Sequence, residues 1–224
     1  CMSRDSMLDS IRRSLKRGPL APGAAVALER RLAEHPSGIV PGRTRQDHAA
    51  LVALFQHWAT TYHASFAEVG AMDQVAGAVQ DFLKSSNLPS QVVMAPDPSL
   101  DACGWDATPL LEIRRGKPVD EDKVAVTGAF AGVAETGTLI FTSSPDHPTT
   151  LNIMPDTHVV VLKKSDVIGS YEEVWARLRE RYGAQKMPRT VNTITGPSRT
   201  GDIEQTLELG AHGPRRMHIV LVDS

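Results

Sequence analysis

Cysteine is scarce in this sequence, which has two among its 224 residues, Cys1 and Cys103. A four-iron cluster normally takes four thiolate ligands, so this chain alone cannot hold one. Two cysteines are also too few for a disulfide scaffold, and such usage is typical of a reducing compartment. We therefore expect a cytoplasmic protein that carries no cofactor of its own.

Long apolar runs are missing as well. No uninterrupted stretch approaches the roughly 20 apolar residues that cross a bilayer, so we expect no membrane span. The first residues, CMSRDSMLDSIRRSLKR, lack the apolar core of a signal peptide. Because Cys1 precedes Met2, we expect the natural start at Met2, the alternative being a lipid-modified N-terminal cysteine.

Clustered positive charge is absent. Lys and Arg number 24 and Asp and Glu 26, which gives a formal charge of −2. The basic pairs are short and separated, at Arg12-Arg13, Lys16-Arg17 and Arg215-Arg216. Nucleic-acid affinity depends on a continuous cationic surface, so this composition disfavours a nucleic-acid partner.

Several motifs that carry chemistry are also missing. Neither G-x-x-x-x-G-K-[ST] nor G-x-G-x-x-G occurs, which disfavours an ordinary nucleotide-binding loop. There is no H-E-x-x-H or C-x-x-C spacing, so we predict no structural metal. Nucleophilic catalysis has no support either, since G-x-S-x-G is absent and Cys103 has no motif around it.

The first sixty residues are typical of helices. Leu8, Ile11 and Leu15 fall on one helical face, a second helix is predicted at 24–34, and a third has apolar residues at helical spacing from Leu51 to Trp58. After Tyr62, short β-rich runs alternate with helices. We therefore predict a helical N-terminal extension over 1–62 and an α/β domain over 63–224.

Eight short strands are predicted in the second region. They lie around Phe66 and at 92–95, 111–113, 124–126, 139–142, 159–162, 191–195 and 219–222. One helix is predicted between Met72 and Leu83, and another from Tyr171 to Tyr182, where Ser170 and Glu173 form an S-x-x-E capping box. Runs such as VVVL are apolar on both faces, which suits a sheet covered by helices. Short connections favour an open mixed sheet.

The segment 124–162 holds the first candidate site. Its loop GAFAGVAETGT is rich in small residues, and Glu135 is the only charged residue from Val124 to Pro145. An isolated carboxylate at strand ends is a candidate general base or substrate anchor. Alternatively, Glu135 accepts backbone hydrogen bonds and fixes the turn. The polar residues that could form a rim over this pocket are Ser143, Asp146, His147, Thr149, Thr150, Asn152 and His158, although a packed role is more common for a histidine such as His158.

The segment 192–216 holds the second candidate site. A strand runs into Gly196-Pro197, and Ser198 or Thr200 could cap a short helix-like stretch that follows. The N-terminus of that helix, with Arg199 beside it, would hold a carboxylate or a phosphate. An open alternative is that Asp202 and Glu204 are favourable charges on the first helical turn. We expect Gly210 and Gly213 to have a turn role, and the role of His212 between them stays open.

The stretches VTGAFAGVAETGTLIFTSSPDHPTTLNIMPDTHVVVL and NTITGPSRTGDIEQTLELGAHGPRRMHIVLVD resemble the two signature blocks of LUD-domain proteins, in particular the lactate utilization protein C family. They cover roughly the last hundred residues. The match carries over onto Glu135, Thr136, Gly137, Thr138, Gly196, Pro197, Ser198, Asp202 and Glu204. Thr195 and Gly201 stand where the blocks would have Ser and Ala.

The resemblance implies a fold like that of the sugar-phosphate isomerase and CoA-transferase group (NagB/RpiA/CoA-transferase-like). It also implies a role in the oxidation of L-lactate to pyruvate, with two partner proteins that carry the iron–sulfur clusters. The match does not assign individual roles to the matched residues. Taken together with the two candidate segments, it leaves Glu135, Asp202 and Glu204 as the catalytic candidates. The candidates for substrate binding are Thr136, Gly137, Thr138, Ser143, Asn152, His158, Gly196, Pro197, Ser198, Arg199, Thr200 and His212.

Three hypotheses follow from these observations. The chain is a non-redox subunit that binds a small organic acid or partner proteins, or an autonomous isomerase, transferase or ligase acting on a small anionic metabolite, or a structural or regulatory protein. The first two require the loops around Glu135 and Ser198 to form one shared pocket.

Overall fold

Two helices open the chain, α1 (Arg4–Ser14) and α2 (Pro22–Glu34). The side chain of Ser3 accepts a hydrogen bond from the backbone N–H of Ser6 and caps α1, while Pro22 occupies the first turn of α2. The computed structural model describes residues 3–16, 18–203 and 206–223, and of residues 200–203 and 206–209 the backbone alone. The chain forms two compact units, Cys1–Ile39 and Val40–Ser224.

Three further helices belong to the second unit: α3 (His48–Thr61), α4 (Val75–Ser85) and α5 (Tyr171–Tyr182). A carboxylate oxygen of Asp47 accepts from the backbone N–H of Ala50 and caps α3. The predicted capping box of Ser170 and Glu173 is present at the start of α5, and Gly183 ends that helix. No helix among the described residues is long and apolar enough to span a bilayer.

Six strands form a parallel sheet in the order β1-β12-β7-β4-β2-β3. They are β1 (Ser65–Val69), β2 (Gln91–Met94), β3 (Glu112–Arg115), β4 (Val124–Gly128), β7 (Thr157–Lys163) and β12 (Arg216–Val222). The central strands are apolar at successive positions, as expected when both faces of a parallel sheet are covered.

A second, smaller sheet has the order β8-β5-β6-β9. Its strands are β5 (Ala131–Val133), β6 (Thr138–Thr142), β8 (Val167–Ile168) and β9 (Val191–Ile194). Here β5 pairs antiparallel with β6 and parallel with β8, and β6 pairs antiparallel with β9. The predicted mixture of strand directions is therefore present in the smaller sheet, while the larger sheet is entirely parallel.

The core is layered around the parallel sheet. On one face, Val75 and Val79 of α4 pack with Val159 and Val161 of β7. On the other face, α3 and β6 pack against alternate residues of the same strands. Helix α5 then covers the far side of the small sheet. The predicted α/β class, with a helix-covered sheet and N-terminal helices, is confirmed.

Residues 199–209 differ from the prediction. Arg199–Ile203 (β10) and Thr206–Leu209 (β11) form an antiparallel pair, where a short helix-like stretch was expected. The alternation in TLEL suits a strand, and it outweighs the capping signal of Ser198 and Thr200. The expected helix N-terminus is therefore wrong, so the predicted anion site beside Arg199 has no helix end to support it.

Candidate functional site

The parallel sheet ends at a cavity of about 560 Å³. Gly128, which ends β4, and Lys163, which ends β7, both line it, and Asp97 reaches it from the loop after β2. Helix α5 closes the opposite wall with Arg177 and Arg181. We call this cavity the carboxyl-end crevice, and it is where open α/β sheets usually bind ligands.

The crevice contains charges of both signs. Arg177 forms an ion pair with Asp166, with 3.2 Å between Nη1 and Oδ1. In the part of the chain that the structure describes, no carboxylate lies within 4 Å of the charged groups of Lys163 or Arg181. The Arg181 guanidinium lies 5.7 Å from the ring centroid of Phe130. Two cations are thus available to an anionic ligand.

His147 lies in the wall of this crevice and is 7% exposed. Its Nε2 is 3.3 Å from Oδ1 of Asn152, itself buried. Since an amide oxygen only accepts hydrogen bonds, Nε2 carries the ring proton and Nδ1 is an acceptor. Burial lowers the pKa of His147, although the Asn152 hydrogen bond opposes the shift. The ring is therefore neutral near pH 7.

His158 is fully buried in β7 and does not line the carboxyl-end crevice. Its Nε2 lies 2.8 Å from the hydroxyl oxygen of Thr127. Burial lowers the pKa of His158 to about 3, so this ring stays uncharged. This geometry fits the alternative in which His158 is a packed, hydrogen-bonded residue of the core.

Glu135 lies in the turn between β5 and β6. Its backbone N–H donates to the carbonyl of Gly169 at 3.0 Å, and its carbonyl accepts from Arg43 at 3.2 Å. A carboxylate oxygen accepts from the backbone N–H of Tyr171, the first residue of α5, at 3.4 Å. These contacts fit the alternative in which Glu135 fixes the turn.

The next residues of the same turn belong to a hydroxyl network. The hydroxyl oxygen of Thr138 lies 2.7 Å from that of Thr136, 2.6 Å from that of Thr195 and 2.9 Å from the phenol oxygen of Tyr171. Thr138 is completely buried. The two sequence segments therefore meet here, through hydroxyl groups that satisfy one another.

Residues 196–199 lie at the other end of the parallel sheet, near the start of β12. Gly196, Pro197, Ser198, Arg199 and His212 line a cavity of about 410 Å³, together with Asn152. The hydroxyl of Ser198 accepts from the backbone N–H of His212 at 3.2 Å. Pro197 and Arg199 also line a neighbouring cavity of about 590 Å³, which includes Arg215 and Arg216.

The expected shared pocket of Glu135 and Ser198 is corrected accordingly, because Glu135 lines none of these cavities. Ser143 joins Thr190 through two hydrogen bonds of 2.9 Å. Thr200 and Asp202 lie in β10, where the backbone alone is described, and Glu204 lies outside the described residues. Asp202 is therefore in a strand, which corrects its expected place on a helical turn.

Sequence reasoning missed the cations of the carboxyl-end crevice. Lys163 follows the apolar run VVVL, and a charged residue at the end of a buried strand is the signal that could have found it. Arg181 lies on α5, which only the fold brings near β4 and β7. Among the described residues, no group of three or more His, Cys, Asp or Glu side chains could hold a metal ion.

The covered parallel sheet defines an open α/β protein, and its crevice lies at the carboxyl ends of the strands, where proteins of this class usually bind ligands. Residues 119–222 match the LUD domain model. A solved structure of a DUF162 family protein from Deinococcus radiodurans shares the fold, with a TM-score of 0.58 and 22% identity over 79% of this chain and 99% of that one.

Curated relatives agree with this match. A "Lactate utilization protein C" from Anoxybacillus flavithermus is 30% identical over 128 residues, 55% of this chain and 54% of that protein. The protein of that name from Bacillus subtilis is 30% identical over 107 residues, 47% and 45% of the two chains. "Uncharacterized protein NMB1437" from Neisseria meningitidis is 40% identical over 96 residues, 43% and 40%. The matches span about half the length of these relatives. Residues 119–222 of this chain are therefore similar to a LUD domain.

Proposed function

We propose that this chain serves in L-lactate utilization as a component that binds a small organic acid in the carboxyl-end crevice and transfers no electrons itself. The relatives named lactate utilization protein C support the metabolic role. The resemblance to that family supports partner subunits that carry iron–sulfur clusters. The cytoplasmic location predicted from composition fits such a partnership.

The observation that carries the binding role is the pair of cations at the strand ends. Lys163 and Arg181 have no described carboxylate partner, and both face the same cavity. A hydrogen bond to a charged group contributes about 1.5–3 kcal/mol, so losing one cation weakens carboxylate binding about tenfold or more. A cavity of about 560 Å³ is large enough for lactate or pyruvate.

Isothermal titration with L-lactate, pyruvate and inorganic phosphate tests the binding role. We expect Arg181→Ala to weaken binding of the organic acids at least about tenfold. The matched control is Arg179→Ala, which removes the same charge from the same helix at a position that does not line the crevice. Equal affinities in wild type and Arg181→Ala would contradict the proposed site.

Arg199→Ala separates the two ends of the sheet. If the anion site lay at residues 196–199, as the sequence suggested, this variant would lose binding and Arg181→Ala would keep it. We expect the reverse, because Arg199 lines only the cavities at the amino end.

The non-redox role has its own test. The purified chain should give no turnover of L-lactate with an artificial electron acceptor. Turnover of L-lactate by the chain alone would contradict this role.

A further inference from the structure

The wall of the crevice around His147 adjoins the wall that α5 forms with Arg177 and Arg181. The phenol of Tyr182, next to Arg181, donates to the hydroxyl of Thr142 at 3.0 Å. Two residues further, the backbone N–H of Ser144 donates to the carbonyl of His147 at 3.3 Å. Thr142, Ser144 and His147 all line the crevice. A ligand that contacts the cations therefore has His147 on an adjoining wall.

Asn152 fixes which nitrogen of His147 is available. With the proton held on Nε2 by the amide oxygen, Nδ1 has a lone pair and no hydrogen-bond partner among the described residues. Some described polar side-chain atoms are both buried from solvent and without a hydrogen-bond partner, and Nδ1 of His147 is not one of them. The crevice therefore presents a neutral acceptor, and a neutral acceptor prefers a ligand with a hydroxyl donor.

We infer that His147 determines specificity: its Nδ1 accepts a hydrogen bond from the hydroxyl of a 2-hydroxy acid and disfavours the matching 2-oxo acid. The inference rests on the proposed binding of small organic acids in this crevice. A ketone oxygen is only an acceptor, so it would face the lone pair of Nδ1 and leave it without a donor. The unmade hydrogen bond corresponds to a preference of about tenfold to a hundredfold.

Protonation reverses this preference. When the pH falls below the lowered pKa of His147, Nδ1 gains a proton and becomes a donor, which suits a ketone oxygen. The other titratable or charged groups that face the crevice are Asp97, Lys163, Asp166, Arg177, Glu180, Arg181 and Tyr182, and buried His158 lies near the ring. The ratio of the two affinities cancels effects on the carboxylate that both ligands share. Comparison of wild type with His147→Ala at each pH then separates the contribution of His147 from those of the other groups.

The test measures the affinities of L-lactate and pyruvate by titration at pH 7.5 and at the lowest pH where the protein stays folded. Wild type should prefer lactate about tenfold or more at pH 7.5 and lose that preference in acid. His147→Ala should bring the ratio to about one at both pH values. The control His57→Ala, at an exposed position of α3, should leave the wild-type ratio.

A measurement on the unaltered protein guards against a variant that fails to fold. Nitrogen-15 NMR of the histidine rings should show His147 protonated at Nε2 and bare at Nδ1 at pH 7.5. A proton on Nδ1, or equal binding of the two acids by wild type, would overturn the inference while leaving the proposed function intact. Failure of both acids to bind would contradict the proposed function and the inference together.

Discussion

The hydroxyl oxygens of Thr138 and Thr195 lie 2.6 Å apart, where the start of β6 meets the residue after β9. Thr138 is completely buried, and its other partners are the hydroxyl groups of Thr136 and Tyr171. A buried hydroxyl without a partner costs free energy, so the sequence must supply several hydroxyl groups at this point. The network joins two segments nearly sixty residues apart and anchors the edge strand of the small sheet.

We predict that Thr195→Val lowers the free energy of unfolding by about 1 kcal/mol, because it removes one partner of a buried hydroxyl. Urea denaturation measures the change. Thr193→Val is the control, since this exposed threonine on β9 makes no side-chain hydrogen bond among the described residues. A double-mutant cycle with Thr138→Val should give a coupling of at least about 0.5 kcal/mol, and strict additivity would contradict the network.

Gly137 is required by a close approach to α3. Its φ is +67°, and a Cβ placed there would lie 2.3 Å from the backbone nitrogen of Ala59 and 2.7 Å from the carbonyl carbon of Trp58. We predict that Gly137→Ala destabilises the protein by at least about 2 kcal/mol, since both the backbone conformation and the space oppose a side chain.

Gly77 on α4 provides the matched control for this prediction. A Cβ at Gly77 meets nothing within 4 Å, so Gly77→Ala should stabilise the protein by up to about 1 kcal/mol through helix propensity. Thermal or urea unfolding compares the two variants. A Gly137→Ala protein as stable as wild type would show that α3 can move away from this turn.

Local sequence patterns predicted most of the helices and strands because they involve neighbouring residues. The capping box of Ser170 and Glu173 and the apolar runs of β4 and β7 each lie within a few positions. Strands β5 and β8 have three and two residues, too few for any periodicity. Their pairing depends on the tertiary fold, so the separate small sheet could not be predicted.

The candidate site was harder to predict for the same physical reason. Gly128 and His147 lay in the segment that the sequence singled out, but Lys163 and Arg181 reach the crevice from β7 and α5. A cavity at strand ends depends on which strands are neighbours. Strand order is set by long-range packing, and no short motif in this sequence encodes it.

Two buried histidines should make stability fall in acid. Burial lowers the pKa of His158 to about 3 and that of His218 to about 4, from about 6.5 in an unfolded chain. Between about pH 6.5 and 4 the unfolded chain binds protons that the folded protein does not, so the free energy of unfolding rises with pH in this window. The free energy of unfolding therefore decreases as the pH falls, by up to about 1.4 kcal/mol per pH unit for each histidine ring.

The variant His218→Phe should reduce the slope of the unfolding free energy against pH by about the contribution of one histidine. Phenylalanine keeps the stacked contact with Phe82, whose ring centroid lies 3.8 Å away, and it removes the buried Nε2 that has no partner among the described residues. Urea denaturation at pH 4.5, 5.5 and 6.5 measures the slope. Exposed His57→Gln should leave the slope unchanged, and an equal slope in His218→Phe would contradict the prediction.

Cys103 should be inert in the folded protein. Its side chain has no exposed surface, and burial raises the pKa of its thiol to about 12, which keeps it protonated. The thiolate is the reactive form, so modification requires unfolding of the region around Leu100. We predict that iodoacetamide labels Cys103 at pH 8 no faster than the protein opens, and immediately in concentrated urea. Peptide mass mapping follows Cys103 separately from Cys1. Rapid native labelling would mean that this part of the core opens readily and that the thiol is available for chemistry.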